Sequence, residues 1–253
     1  GRRLDDAGRR AVAVARGSWS GREDVRKMER TDVADVVERV LVVDLGIRRS
    51  GCALEIAHHL LRVVRDPRST AGAVVRGHRI RRTLSRKKVN ESDGYCAALP
   101  YFLYNNSEPD LKRIIKSVAN SKVNETYALA KLEIIDLAMK GEKSPVNAFA
   151  RKYGRKRYFK DVVVNIKKVL RLKKHNHIQV VKKFGKACSY PGTFMGSIHA
   201  MISSNNYKSA IIKTIKAGGC NCSRANFVGA YFAAYKGLKN IPPPWIKKTF
   251  PAK

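Results

Sequence analysis

Cys220-Asn221-Cys222-Ser223 follows directly on Gly218-Gly219 and leads into the small residues Ala225, Gly229 and Ala230. Thiols two residues apart bind soft metals or take part in redox chemistry. Paired glycines let the backbone adopt conformations closed to other residues and approach a ligand closely. A Cys-x-Cys with no second pair or nearby His is incomplete as a zinc site, and its disulfide would close a small, strained ring. The plainer alternative is a set of small residues filling a tight helix entrance.

Other chemistry-bearing groups are weaker. His58-His59 and His175-Asn176-His177 lack the three- or four-residue spacing of ligands on one helix face, and they are expected at the surface. From Arg151 to Lys174 eleven cations face a single Asp161, with Tyr153, Tyr158 and Phe159 interleaved. Such a run would contact phosphates with steep salt dependence, or it is the solvated side of two amphipathic helices. No zinc-finger spacing, RRM-like aromatic signature or helix-turn-helix pair accompanies it.

The elements that must hold these groups are helical. Thr31 and Ser50 cap candidate helices with apolar residues at Val33, Val36, Val37, Val40 and at Ala53, Ile56, Leu60, Val64. Ser107 and Asp110 stand at capping-box spacing before Leu111, Ile114, Ile115 and Val118. A helix is expected from Val123 to Lys140, stopped by Gly141, and another from Ser144-Pro145 to Gly154. Phe159, Val162, Val163, Ile166 and Val169 form the next face. Shorter helices follow at Thr193 to Ser203 and Tyr207 to Lys216, and the last core helix is expected to start at Ser223. No strand alternation competes, so the class is all-α: a single multi-helix orthogonal globule.

The chain of 253 residues is long enough for a sizeable core, and its hydrophobic fraction of 44% is ordinary for a globular protein. No apolar run would span a bilayer, and no secretory signal pattern is present. Five scattered cysteines argue for reduced thiols and a cytoplasmic setting, without a disulfide framework. The net charge of +32 divides as +9 in residues 1–86 and +23 beyond. Cations are almost all Arg in the first part and mostly Lys in the second, with Lys27 the one exception before Arg86. That switch marks a second module or a segment of different coding origin. The expected organisation is an Arg-rich arm over 1–30, a helical segment of uncertain origin over 31–86, and a helical domain over 87–253.

From Val181 to Thr249 a series of motifs is more specific than any of these patterns. It comprises Phe184-Gly185-Lys186-Ala187-Cys188, Pro191-Gly192-Thr193-Phe194-Met195-Gly196-Ser197-Ile198-His199, Ala217 to Arg224, Ile241-Pro242 and Trp245-Ile246. Upstream, Ser92-Asp93-Gly94-Tyr95-Cys96-Ala97-Ala98-Leu99-Pro100 is a more divergent part of the same series, and Asn120-Ser121-Lys122 leads into Tyr127-Ala128-Leu129-Ala130. Over residues 90–250 this series closely resembles the ADP-ribosylglycohydrolase superfamily, in its J-crystallin and selenoprotein J branch.

The resemblance implies an all-α globule whose active members hold two magnesium ions in a cleft and cleave glycosidic bonds to ADP-ribose. One ligand set there is an early Thr-Asp-Asp cluster, the other a G-G-D-x-D-[ST] motif at a late helix mouth. Cys220 and Cys222 stand where the two Asp stand, and Ser223 where Thr or Ser stands. Magnesium requires hard oxygen ligands, so these thiols are degenerate metal positions. Asp5-Asp6 has no Thr beside it, and Thr31-Asp32 lacks the second Asp.

No cofactor is expected, with magnesium admitted only if carboxylates elsewhere in the chain complete the site. Residual binding of ADP-ribose or an ADP-ribosylated protein would use Asp93, Gly218, Gly219, Ser223 and Arg224. The resulting expectation is a structural, crystallin-like or ligand-binding protein without efficient hydrolase chemistry. An active ADP-ribosyl-glycoside hydrolase with a remodelled site and a basic nucleic-acid-binding helical module are the alternatives. No membrane partner is expected.

Overall fold

A computed structural model describes residues 90–104 and 107–249. The candidate arm, the helices capped by Thr31 and Ser50, and the groups Asp5, Asp6, Asp32, Cys52, His58 and His59 lie outside the described residues.

Among the described residues the chain forms ten α-helices and two 3-10 turns, with no strand. The helices are α1 (Asp93–Tyr104), α2 (Glu108–Val118), α3 (Lys122–Met139), α4 (Pro145–Tyr153), α5 (Lys160–Arg171) and α6 (His177–Phe184). The second half holds α7 (Gly192–Ile202), α8 (Tyr207–Lys216), α9 (Asn221–Lys236) and α10 (Pro243–Thr249). The all-α class is as expected. Helices α1, α6 and α10 do not appear among the expected elements: α1 is apolar nearly all round, and α6 and α10 are only eight and seven residues long.

Two helices organise the rest. α3 packs against α1, α2, α4 and α9, and α9 packs against α7 and α8 as well. Twelve of the sixteen residues of α9 are buried, and its small residues Ala225, Gly229, Ala230, Ala233 and Ala234 allow close approach on several sides. A line of rings runs through the middle: Tyr190 stacks on Tyr127 at 4.8 Å, Tyr127 meets Phe194, Phe194 stacks on Phe227, and Phe227 meets Tyr95 edge-on. Each ring bridges two segments, so the core is fastened by aromatic contacts in preferred geometries.

The helix boundaries have local causes. Ser121 caps α3 by accepting from the Asn124 N–H at 3.0 Å, and the left-handed Gly141 ends the turn beyond it. Ser107 precedes α2 as expected, but its side chain makes no cap to the helix backbone. Asp110 instead takes the Tyr101 hydroxyl at 2.8 Å and a hydrogen bond from Ser107, so the reciprocal capping box does not form. α9 begins at Asn221, with Cys220 at the N-cap. Its start is therefore two residues earlier than Ser223.

The cations between Arg151 and Lys174 are exposed, while Phe149 and Ile166 beneath them are fully buried. Phe149, Tyr153 and Phe159 form one aromatic knot joining α4 to the 3-10 turn before α5. Tyr153 and Phe159 therefore pack on the core of two amphipathic helices, while the Tyr158 hydroxyl donates to Glu125 at 2.7 Å.

Candidate functional site

Four chain segments meet at the mouth of α9. Residues 90–92 run beside 189–190, joined by a Glu91–Ser189 bridge and by the Tyr190 N–H on the Asn90 carbonyl at 2.7 Å. Ser92 and Asp93 thus stand at the head of α1, next to the loop that carries Cys188. α3 passes behind them, and the Gly218-Gly219 turn closes the fourth side.

The turn is shaped by backbone alone. Gly218 and Gly219 have φ of 69° and 70°, in the left-handed region. A Cβ on Gly219 would run into the Lys186 carbonyl. That carbonyl accepts the Cys220 N–H at 2.8 Å, so the turn lies flat against the segment leading to Cys188.

Arg224 holds this arrangement from beneath. Fully buried, it donates to the carbonyls of Lys186 at 3.2 Å and of Gly218, and to Asn221 Oδ1 at 2.9 Å. Its guanidinium therefore bridges two loops and the first residue of α9. Burial pulls its pKa below the ordinary value, opposed by the nearby Cys220 and Cys222.

Above Arg224 the thiols cluster. Cys220 Sγ lies 3.5 Å from Cys222 Sγ and 3.1 Å from Ser223 Oγ, and Cys188 stands on the adjoining loop, two residues beyond the Lys186 carbonyl that accepts the Cys220 N–H. These cysteines are free and half-buried. Hydrogen bonds from Cys222, then from Ser223 and Cys188, draw the Cys220 pKa down against the effect of burial. Cys222, facing the Cys220 sulfur and also buried, is pushed up. The negative charge of the pair thus belongs on Cys220.

Lys131 is the group that sequence reasoning missed. It is fully buried near the middle of α3, its Nζ donating to Ser92 Oγ at 2.5 Å. The rings of Tyr95, Tyr190 and Phe227 surround it with centroids 4.7, 5.0 and 5.2 Å away. Burial pushes it down to about 7, while Cys96, Asp93 and Cys220 act in the other direction. Asp93 in turn is raised by burial and by Glu91 and Cys220, with Lys131 opposing. A signal was present: Lys131 interrupts the apolar register of Tyr127, Ile134 and Ala138.

The structure thus brings Asp93, Gly218, Gly219, Cys220, Cys222, Ser223 and Arg224 together around one mouth. Their exposure differs: Ser223 and Arg224 are buried, and Asp93 is partly exposed. Among the described residues no group of three or more His, Cys, Asp and Glu side chains is arranged to hold a metal ion. Two thiols and a serine hydroxyl do not fit magnesium, which demands hard oxygens in an octahedron.

His177 departs from expectation. It is buried in α6, with Nδ1 3.0 Å from Nδ1 of His199 on α7. His199 Nε2 lies 2.9 Å from the Leu172 carbonyl and must donate to it. His199 Nδ1 is then the acceptor and His177 Nδ1 the donor, both rings being neutral. Asn176, between the two histidines of the motif, caps α6 through its side chain. The His-x-His pattern is a helix start with one residue turned into the core.

The family model for ADP-ribosylglycohydrolase matches residues 20–251. The chain belongs to the ADP-ribosylglycohydrolase family. The matched span begins well before residue 90, where the motifs become recognisable, and includes part of the Arg-rich first segment. Crystallin J1A from Tripedalia cystophora is 45% identical over 69 residues, covering 27% of this chain and 21% of the relative. Crystallin J1B from the same organism is 36% identical over 73 residues, covering 29% of this chain and 23% of the relative. The aligned segments thus span less than a quarter of either relative's length. No helix among the described residues of this ADP-ribosylglycohydrolase family member is long and apolar enough to cross a membrane.

Proposed function

We propose that this chain is an ADP-ribosylglycohydrolase-like protein whose dinuclear magnesium site has degenerated, and that it serves a structural or ligand-binding role. The observation that carries this reading is the chemical character of the α9 mouth. Sulfur stands at both positions where the family motif has carboxylates. The amine of Lys131 lies in the core behind them, within electrostatic reach of Asp93 and Cys220. In its protonated form this internal amine offsets the anionic groups that would otherwise draw a divalent cation, and it opposes the approach of one. The two crystallin relatives agree with a structural role, though they align over only a small part of their length.

Two-metal hydrolysis needs both ions clamped by preorganised oxygens, so efficient turnover is not expected from this mouth. Calorimetry with ADP-ribose, with and without magnesium, tests the proposal. Binding that is weak and indifferent to magnesium is expected, together with no release of ADP-ribose from modified protein. Tight magnesium-dependent binding, or turnover that magnesium stimulates, would show that a metal site survives.

A further inference from the structure

The thiol cluster has a use independent of any glycosidic chemistry. Three half-buried cysteines stand on two loops joined by the Cys220 N–H on the Lys186 carbonyl, and their settings distinguish them. Cys220 has the most polar neighbours: Cys222 Sγ at 3.5 Å and Ser223 Oγ at 3.1 Å, with the Cys188 loop tied to it through the Lys186 carbonyl, 2.8 Å from the Cys220 N–H. It also sits at the N-cap of a sixteen-residue helix, where the dipole favours negative charge. Cys96, by contrast, is buried beneath Lys131 and its thiol is pushed up to about 12 by burial, which makes it inert.

Cys222 is in contact with Cys220 but belongs to the first turn of α9, and a disulfide between residues two apart closes a small ring. Cys188 has no such constraint. It lies on the opposing loop, two residues beyond the Lys186 carbonyl that accepts the Cys220 N–H. Arg224 ties that same carbonyl to the Gly218 turn. The two loops are therefore held side by side by backbone hydrogen bonds whichever state the sulfurs are in.

We propose that Cys220 is a hydroperoxide-reactive thiolate and that Cys188 is its resolving partner. The Cys220 sulfur attacks one peroxide oxygen, the O–O bond breaks, and hydroxide or alkoxide leaves with the electron pair. Cys220 becomes a sulfenic acid, oxidised by two electrons, and the peroxide is reduced. The Cys188 sulfur then attacks the Cys220 sulfur, the S–O bond breaks, and water leaves with the Cys188 proton. The product is a Cys188–Cys220 disulfide between the two loops. Cys222 and Ser223 donate hydrogen bonds and are not consumed.

The experiment uses the full chain, reduced and then given equimolar hydrogen peroxide. Trypsin separates Cys188, in peptide 187–208, from Cys220 and Cys222, in peptide 217–224. Mass spectrometry of the wild type is expected to show these two peptides joined, two hydrogens lighter than their sum. The joined product persists in Cys222→Ala. In Cys188→Ser, Cys220 is instead trapped by a cyclic 1,3-diketone as its sulfenic acid adduct. In Cys220→Ala, peroxide consumption falls toward that of an unactivated thiol. Circular dichroism identifies any variant that fails to fold, and the wild-type and Cys222→Ala peptide maps carry the test in that event. A 220–222 disulfide in the wild type overturns the role of Cys188. Oxidation spread evenly over all five cysteines overturns that of Cys220.

Discussion

At the scale of the residue, Lys131 sets the terms of the site. A lysine held at about 7 in the folded chain, against 10.5 ordinarily, releases its proton earlier when folded than when unfolded. Between those values the unfolded chain binds more protons, so stability rises with pH across that window, by at most about 1.4 kcal/mol per unit. Denaturant titrations at pH 7 and 8.5 are expected to show this rise, and Lys131→Met to remove most of it. An unchanged slope in that variant would place the titrating group elsewhere. His177 acts in the acid range. Burial, then His199, holds it down to about 3 from 6.5, so its contribution is complete above 6.5 and is lost as pH falls toward 3. Melting curves between pH 6.5 and 5 are expected to fall for the wild type and to flatten in His177→Phe. Neither residue was legible in its role. Lys131 stood inside an apolar stripe, and His177 shared a motif with an exposed neighbour. In each case the decisive fact is a partner distant in sequence: Ser92 for one, His199 for the other.

At the scale of the element, the helices with strong periodicity and explicit stops matched expectation closely. Lys122–Met139 and Tyr207–Lys216 owe their legibility to an apolar register that local spacing alone reveals and, for the first, to the stop at Gly141; the structure adds side-chain caps at Ser121 and Asn206. α1 and α6 were missed for opposite reasons. α1 is apolar nearly all round and has no face to detect, whereas α6 is eight residues long and offers little more than two turns of pattern. The Gly218-Gly219 turn was legible as a special backbone, but the asymmetry between its two glycines was not. Both are left-handed, yet a Cβ on Gly218 meets nothing and one on Gly219 meets Lys186. Gly218→Ala is therefore expected to lower stability by about 1 kcal/mol through backbone strain alone. Gly219→Ala should cost roughly 1–3 kcal/mol more, because the neighbouring loop must shift. Equal losses in urea unfolding would mean that the two loops are not in register as described.

At the scale of the whole molecule, most of the described cations lie outside the core, Lys131 and Arg224 being buried. The cations of Arg151 to Lys174 lie outside a knot of aromatic rings, on a surface that the packing does not require, and they contribute to the net charge of +32. Such a charge favours solubility at high concentration through mutual repulsion, as a structural role would require. The family was legible because its late motifs are spelled out by backbone demands. The glycine turn, the loop around Pro191 and the small-residue helix must keep their residue types to pack at all. The site was legible only in part, since Cys220, Cys222 and Ser223 beside the glycine turn can be read directly but the buried amine behind them requires the fold.

Arg224 gives this last point a practical form. Where an ion organises a loop, the loop's order is borrowed from the solution and can be withdrawn by a chelator. Here a guanidinium carried by the chain itself spans the Lys186 and Gly218 carbonyls. The melting temperature is accordingly expected to be the same in EDTA as in millimolar magnesium, and a downward shift in EDTA would contradict it. A turn braced in this way carries its own counterpart to a bound ion, so its shape depends on the chain alone.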